Sequence, residues 1–115
     1  MTPETAIDQL DRQIAAHGEE ITLRRVLPNA AALEASMRGV VRGYRPEQIT
    51  DGITLGASQV ILSPTALMGT PFEAEENWPR KNDRIIIDGR VRNIEAPNPI
   101  KINDVLVRFN LQVAG

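Results

Sequence analysis

The strongest constraint on this chain is a period-two pattern near its C-terminus. Val105, Val107, Phe109, Leu111 and Val113 alternate with Leu106, Arg108, Asn110 and Gln112. Successive side chains of a strand point to opposite faces, so this pattern predicts a long half-buried strand and requires an opposing apolar surface. The preceding segment fits the same demand. Arg84 to Ile87 and Arg90 to Glu95 flank Asp88-Gly89, a two-residue sequence favoured in tight hairpin turns.

Other segments extend the β pattern. Glu20 to Arg24 alternate around Ile21 and Leu23 and end before Pro28. Asn29 to Ala35 is expected as a linker or short turn, and Met37 to Tyr44 as a second strand bent by its glycines. Glu47 to Gly56 is turn-rich through Asp51-Gly52, and a strand over Gln59 to Leu62 stops at Ser63-Pro64. From residue 64 to 82 no periodicity emerges, which predicts a long exposed loop. Ala96-Pro97-Asn98-Pro99 is expected to close the hairpin. At the other end, Thr2, Pro3 and Glu4 start a helix that Gly18 stops, with Ile7, Leu10 and Ile14 on one face. These elements predict a mainly β fold: a small antiparallel barrel or sandwich with one N-terminal helix and a long loop. Residues 1–115 form a single domain in this scheme, with the helix over 3–17, the barrel over 20–113 and the loop over 64–82.

With only Tyr44, Phe72, Trp78 and Phe109 as aromatics, the core must be aliphatic, and neighbouring copies are expected to add stability. The absence of cysteine excludes disulfides, thiol catalysis and thiolate metal sites. No apolar run is long enough to cross a bilayer as a helix, and the N-terminus lacks the layout of a secretion signal, so a soluble cytoplasmic product is expected. Net charge is −2, but the charges are banded. Residues 24–45 hold Arg24, Arg25, Arg38, Arg42 and Arg45 against Glu34, whereas 46–78 hold five acids and no base. Such banding fits solvated surface or sign-complementary faces that meet between subunits.

Catalytic chemistry is sparse. His17, the only histidine, sits at a helix end where it favours the dipole. Glu73, Glu75 and Glu76 lack the spaced carboxylates and glycine of a calcium loop, and no phosphate loop or nucleophile elbow is present. No enzyme activity, metal or cofactor is therefore expected. A single-strand nucleic-acid barrel would need an aromatic platform edged by bases, and only Tyr44 between Arg42 and Arg45 offers one.

Lys81-Asn82-Asp83-Arg84-Ile85-Ile86-Ile87-Asp88-Gly89-Arg90, a second strand, a Pro-containing turn and a last strand ending Leu-Gln-Val-Ala-Gly together resemble the C-terminal part of head–tail joining proteins of tailed bacteriophages. The match covers about a third of the chain. The family, also described as head completion, stopper or neck proteins, implies a hexameric or dodecameric ring. Its expected neighbours are the portal or adaptor above and the tail terminator or tail tube below, with packaged double-stranded DNA passing through without sequence-specific binding. The expected location is the virion neck, after assembly in the host cytoplasm. Within this scheme Glu73, Glu75, Glu76, Arg38, Arg42 and Arg45 are candidate lumen or subunit-interface residues, and Ile7, Leu10 and Ile14 a candidate packing face. The resemblance leaves open a tail-completion (terminator) protein of related form. The residues also fit a small module acting on host proteins or a single-strand-binding barrel.

Overall fold

A computed structural model of the chain describes residues 2–43 and 58–114. Tyr44, Arg45 and the Asp51-Gly52 turn lie outside the described residues. Helix α1 spans Pro3–His17, and strands follow as β1 (Glu19–Arg25), β2 (Leu33–Gly43) and β3 (Ser58–Leu62). After a short helix α2 (Pro64–Leu67) and a 3-10 turn (Glu75–Asn77) come β4 (Arg84–Ile87), β5 (Arg90–Ala96), β6 (Pro99–Ile102) and β7 (Val105–Ala114).

All strand pairings are antiparallel: β3-β2-β1-β4-β5-β7 follow one another round the sheet, β6 pairs with β7 on the same side as β5, and β3 also pairs with β7. That last pairing, from Ser58 opposite Val113 to Leu62 opposite Phe109, closes six strands into a barrel and leaves only β6 outside the ring. Closure removes most of the unpaired sheet edge that an open sheet of this size would present. Ile21, Leu23, Met37, Val60, Leu62, Ile85, Ile87, Ile94, Phe109, Leu111 and Val113 fill the interior. Phe109, Leu111 and Val113 of the β7 alternation are therefore core and Val107 is buried, whereas Val105, expected on the same half-buried face, stands exposed at the start of the strand.

Helix α1 explains why β3 is apolar on both faces. Val60 and Leu62 face inward, whereas Ile61 faces outward with Val40, and Leu10 and Ile14 cover that pair. Ile7 on the same stripe is only half-buried. Thr2 caps the helix by accepting from the Thr5 amide at 3.1 Å, and the Gly18 amide donates to the Ile14 carbonyl at 2.7 Å. Gly18 ends the helix for a steric reason, because its φ is an ordinary −80°. A Cβ there would lie 2.5 Å from the Ile14 oxygen and 3.1 Å from the Gly39 oxygen.

Three expectations need correction. Strand β2 begins at Leu33, inside the stretch expected as a linker, because Leu33 to Ala35 pair with β1 from Arg25 to Leu23. The Pro97-Asn98 stretch does not reverse the chain. β5 and β6 run on past it along the same side of β7, with Asn98 at φ 43° and its Nδ2 donating to the Asn110 carbonyl. The reversal comes at Asn103-Asp104, both at positive φ, the geometry of a tight hairpin turn. Lastly, residues 64–82 contain no strand but are not simply exposed. Ser63 caps α2, and Leu67 and Phe72 are fully buried in the barrel core.

What pins that segment is an ion pair. Arg25 donates from Nε and Nη2 to both carboxylate oxygens of Asp83 at 2.9 and 2.8 Å, and from Nη2 to the Asn77 and Trp78 carbonyls. Its guanidinium also lies 5.3 Å from the Phe72 ring centre. Asp83 accepts further from the Arg80 amide. Both side chains are at least nine-tenths buried.

Asp83→Ala should lower unfolding free energy by about 3 kcal/mol, since it strands a buried guanidinium. Urea denaturation measures this, and a loss below about 0.5 kcal/mol, the range of surface changes, would show the pair to be dispensable. Leu10→Ala should cost about 2–3 kcal/mol by uncovering Val40 and Ile61. The same measurement applies, and an unchanged midpoint would mean that α1 does not contribute to the barrel's stability.

Candidate functional site

The acidic residues of the 64–82 segment do not act as one group. Glu73 accepts from the Gly69 amide at 3.1 Å, and its own carbonyl accepts from the Trp78 indole. Glu75 approaches Lys101 at 3.8 Å, and Lys101 Nζ stands 5.7 Å from the Trp78 ring centre. Glu76 accepts from Arg80 only through its backbone oxygen, at 3.5 Å. All three carboxylates are exposed, and among the described residues no group of three or more His, Cys, Asp or Glu is placed to hold a metal ion.

The arginine band is likewise divided. Arg25 is spent inside the fold, and Arg24 pairs with Glu34 at 3.1 Å across β1 and β2. Arg38 donates to the Gly18 carbonyl at 2.6 Å and so helps fix the turn between α1 and β1. Arg42 is exposed near the end of β2. Residues 24–43 are therefore less a free basic face than their composition implies.

Two features emerge that the sequence pattern does not announce. An apolar groove runs between the N-terminal half of α1, the residues around α2 and the start of β7, walled by Ile7, Met68, Trp78, Val105 and Leu106, with Glu73 at its rim. Met68 and Val105 are large apolar side chains left 68 % and 46 % exposed, more than an inward-packed position would allow. Trp78 sets its edge against Phe109 at 5.5 Å between ring centres, so the groove floor is continuous with the core. The second feature is the β4–β5 hairpin, whose outward face sets Val91 opposite Ile86. Val91 is 51 % exposed.

These two features occupy opposite ends of the barrel. The groove lies where β3 ends and β7 begins, and the hairpin turn lies where β1 begins and β2 ends. The arrangement offers docking chemistry: apolar burial framed by charge. Of the described aromatics, Phe72 and Phe109 are buried and Trp78 is half-buried, which leaves no exposed stacking platform. No protein-family model matches the chain, and no curated protein matches it significantly in sequence.

Proposed function

We propose that this protein is a non-enzymatic structural subunit of a tailed-phage neck, one copy in a ring that closes the DNA-filled head and offers a surface to the tail. One observation carries the reading. The described part of the segment that resembles head–tail joining proteins, residues 81–114, folds as β4, β5 and β7 of the barrel wall with β6 beside β7, and supplies the strand that closes it. Small closed barrels present rigid rims and loops, which suit a stacked ring whose parts must keep register under load.

A tail-completion protein of related form is the nearest rival. A single-strand-binding barrel is disfavoured because, of the described aromatics, Phe72 and Phe109 are buried and Trp78 packs on Phe109, lies beside Lys101 and donates its indole N–H to the Glu73 carbonyl.

In this reading Glu75 and Glu76 face the channel, where repeated like charge repels phosphate and lets DNA slide. The competing model uses the same charges to bind the next subunit. Glu75→Lys/Glu76→Lys separates them, leaving Glu73 on the Gly69 amide. Monomer stability should change by no more than about 0.5 kcal/mol. Negative-stain microscopy of the variant should show rings like the parent's, while DNA ejection from assembled particles slows and infectivity falls. Missing rings would favour the docking model, and fully infectious particles would remove both roles.

A further inference from the structure

We infer that the groove walled by Ile7, Met68, Trp78, Val105 and Leu106 receives the β4–β5 hairpin of a second copy, with Val91 as the inserted side chain. The inference rests on the proposed ring and names its contact.

Charge and shape both favour this occupant. Glu73 stands at the groove rim, and Glu4 and Asp8 flank Ile7 on the adjoining surface, where Arg12 is already bound to Asp8 at 2.7 Å. The hairpin carries the opposite sign, with Arg84, Arg90 and Arg92 against Asp88 over residues 84–93. Among the described residues five large apolar side chains stand exposed; Met68 and Val105 belong to the groove itself, and Val91 stands on the outward face of the β4–β5 hairpin. Val91 and Ile86 share the outward face of the hairpin with Arg84, whereas Arg90 and Arg92 lie on its other face, so the outward face brings an apolar pair and a positive charge to an apolar slot with a carboxylate at its rim.

Placement at opposite barrel ends suits a head-to-tail contact, in which a copy that inserts its hairpin into one neighbour keeps its own groove free for another. An antiparallel two-fold dimer would exchange both hairpins at once and stop at dimer, so the length of a cross-linked ladder separates the two arrangements. Propagation with rotation closes a ring, and Glu73 then belongs to the interface while Glu75 and Glu76 remain for the channel.

The chain has no cysteine, so introduced thiols report without background. Met68 and Val91 are both exposed, and neither substitution removes a core contact. The full-length Met68→Cys/Val91→Cys protein, treated with a short bismaleimide, should give a denaturant-resistant ladder extending beyond dimer. A mixture of the two single variants should give only the heterodimer, and each single variant alone should give none. Circular dichroism checks that each variant keeps the parent fold. Oligomers seen by light scattering without this cross-link would overturn the contact and leave the ring intact. Efficient cross-linking of Met68→Cys to itself would also overturn it, in favour of a two-fold groove-to-groove pair. A parent protein monomeric at every concentration and never cross-linked would remove the contact and the self-assembling ring together.

Discussion

A guanidinium held between a carboxylate and a plug of main chain organises one end of this molecule. Arg25 ends β1 and Asp83 precedes β4, so their bidentate bond ties neighbouring strands where the ladder between them stops. The same guanidinium draws in the Asn77 and Trp78 carbonyls and rests on Phe72, which folds residues 64–82 across the barrel mouth. Desolvating two ions is costly, and a well-packed apolar pair would often be as stable. What the planar, five-donor fork supplies is geometry, because it satisfies a carboxylate and two carbonyls at fixed angles. That frame adds to the burial of Leu67 and Phe72 and to the Trp78–Phe109 contact in selecting one arrangement of the segment. The groove floor depends on that choice.

Curvature is the second constraint. β2 gives its first half to β1 and its second half to β3, and the change of partner falls near Gly39. A Cβ at Gly39 would stand 2.8 Å from Leu62 Cδ2 and 3.0 Å from the Ile61 oxygen, so the strands approach there as only glycine permits. Outside that bend, Val40 and Ile61 would meet water if α1 did not cover them. Helix and bend are thus two parts of one solution. Closing a small barrel on short strands leaves an apolar outer patch, and the helix buries it with Leu10 and Ile14. The part of the helix that overshoots the patch, around Ile7, becomes one wall of the groove.

Much of the barrel was legible because its signals are local. The β7 alternation and the Asp88-Gly89 turn depend on neighbours in the chain, and both specify their geometry directly. Every non-glycine residue at positive φ among those described is Asn or Asp, namely Asn82, Asp88, Asn98, Asn103 and Asp104, the side chains that tolerate this conformation best. Asn103-Asp104 was therefore a readable turn, masked by the two prolines just before it. Leu33 to Ala35 gave no strand signal because alanine has little β preference, and pairing with β1 supplied the conformation. The Arg25–Asp83 bond spans 58 residues and leaves no periodic trace. For the same reason the charge bands do not reveal individual partners: Arg24, Arg25 and Arg38 each bond within the chain, to Glu34, Asp83 and the Gly18 carbonyl. The groove draws on α1, α2 and β7, so no single stretch of sequence contains it.

Barrel closure also sets the order in which the molecule can be made. β3 finds β7 only across a loop of roughly 50 residues, a separation whose entropy must be overcome before any of its contacts form. The hairpins of β4 with β5 and of β6 with β7 are local, whereas the pairings of β1 with β4 and of β3 with β7 carry the larger loop-closure costs, and β3 with β7 needs the last strand to be made. During synthesis β3 must wait with one edge unpaired until residue 113 has left the ribosome. Through that interval Val60, Ile61 and Leu62 form an apolar edge able to recruit a strand from another nascent chain. Leu10 and Ile14, already synthesised and helical in pattern, are placed to cover its outer face before its true partner arrives. The N-terminal helix can thus act as the strand's first shield in time, as well as its cover in the finished fold.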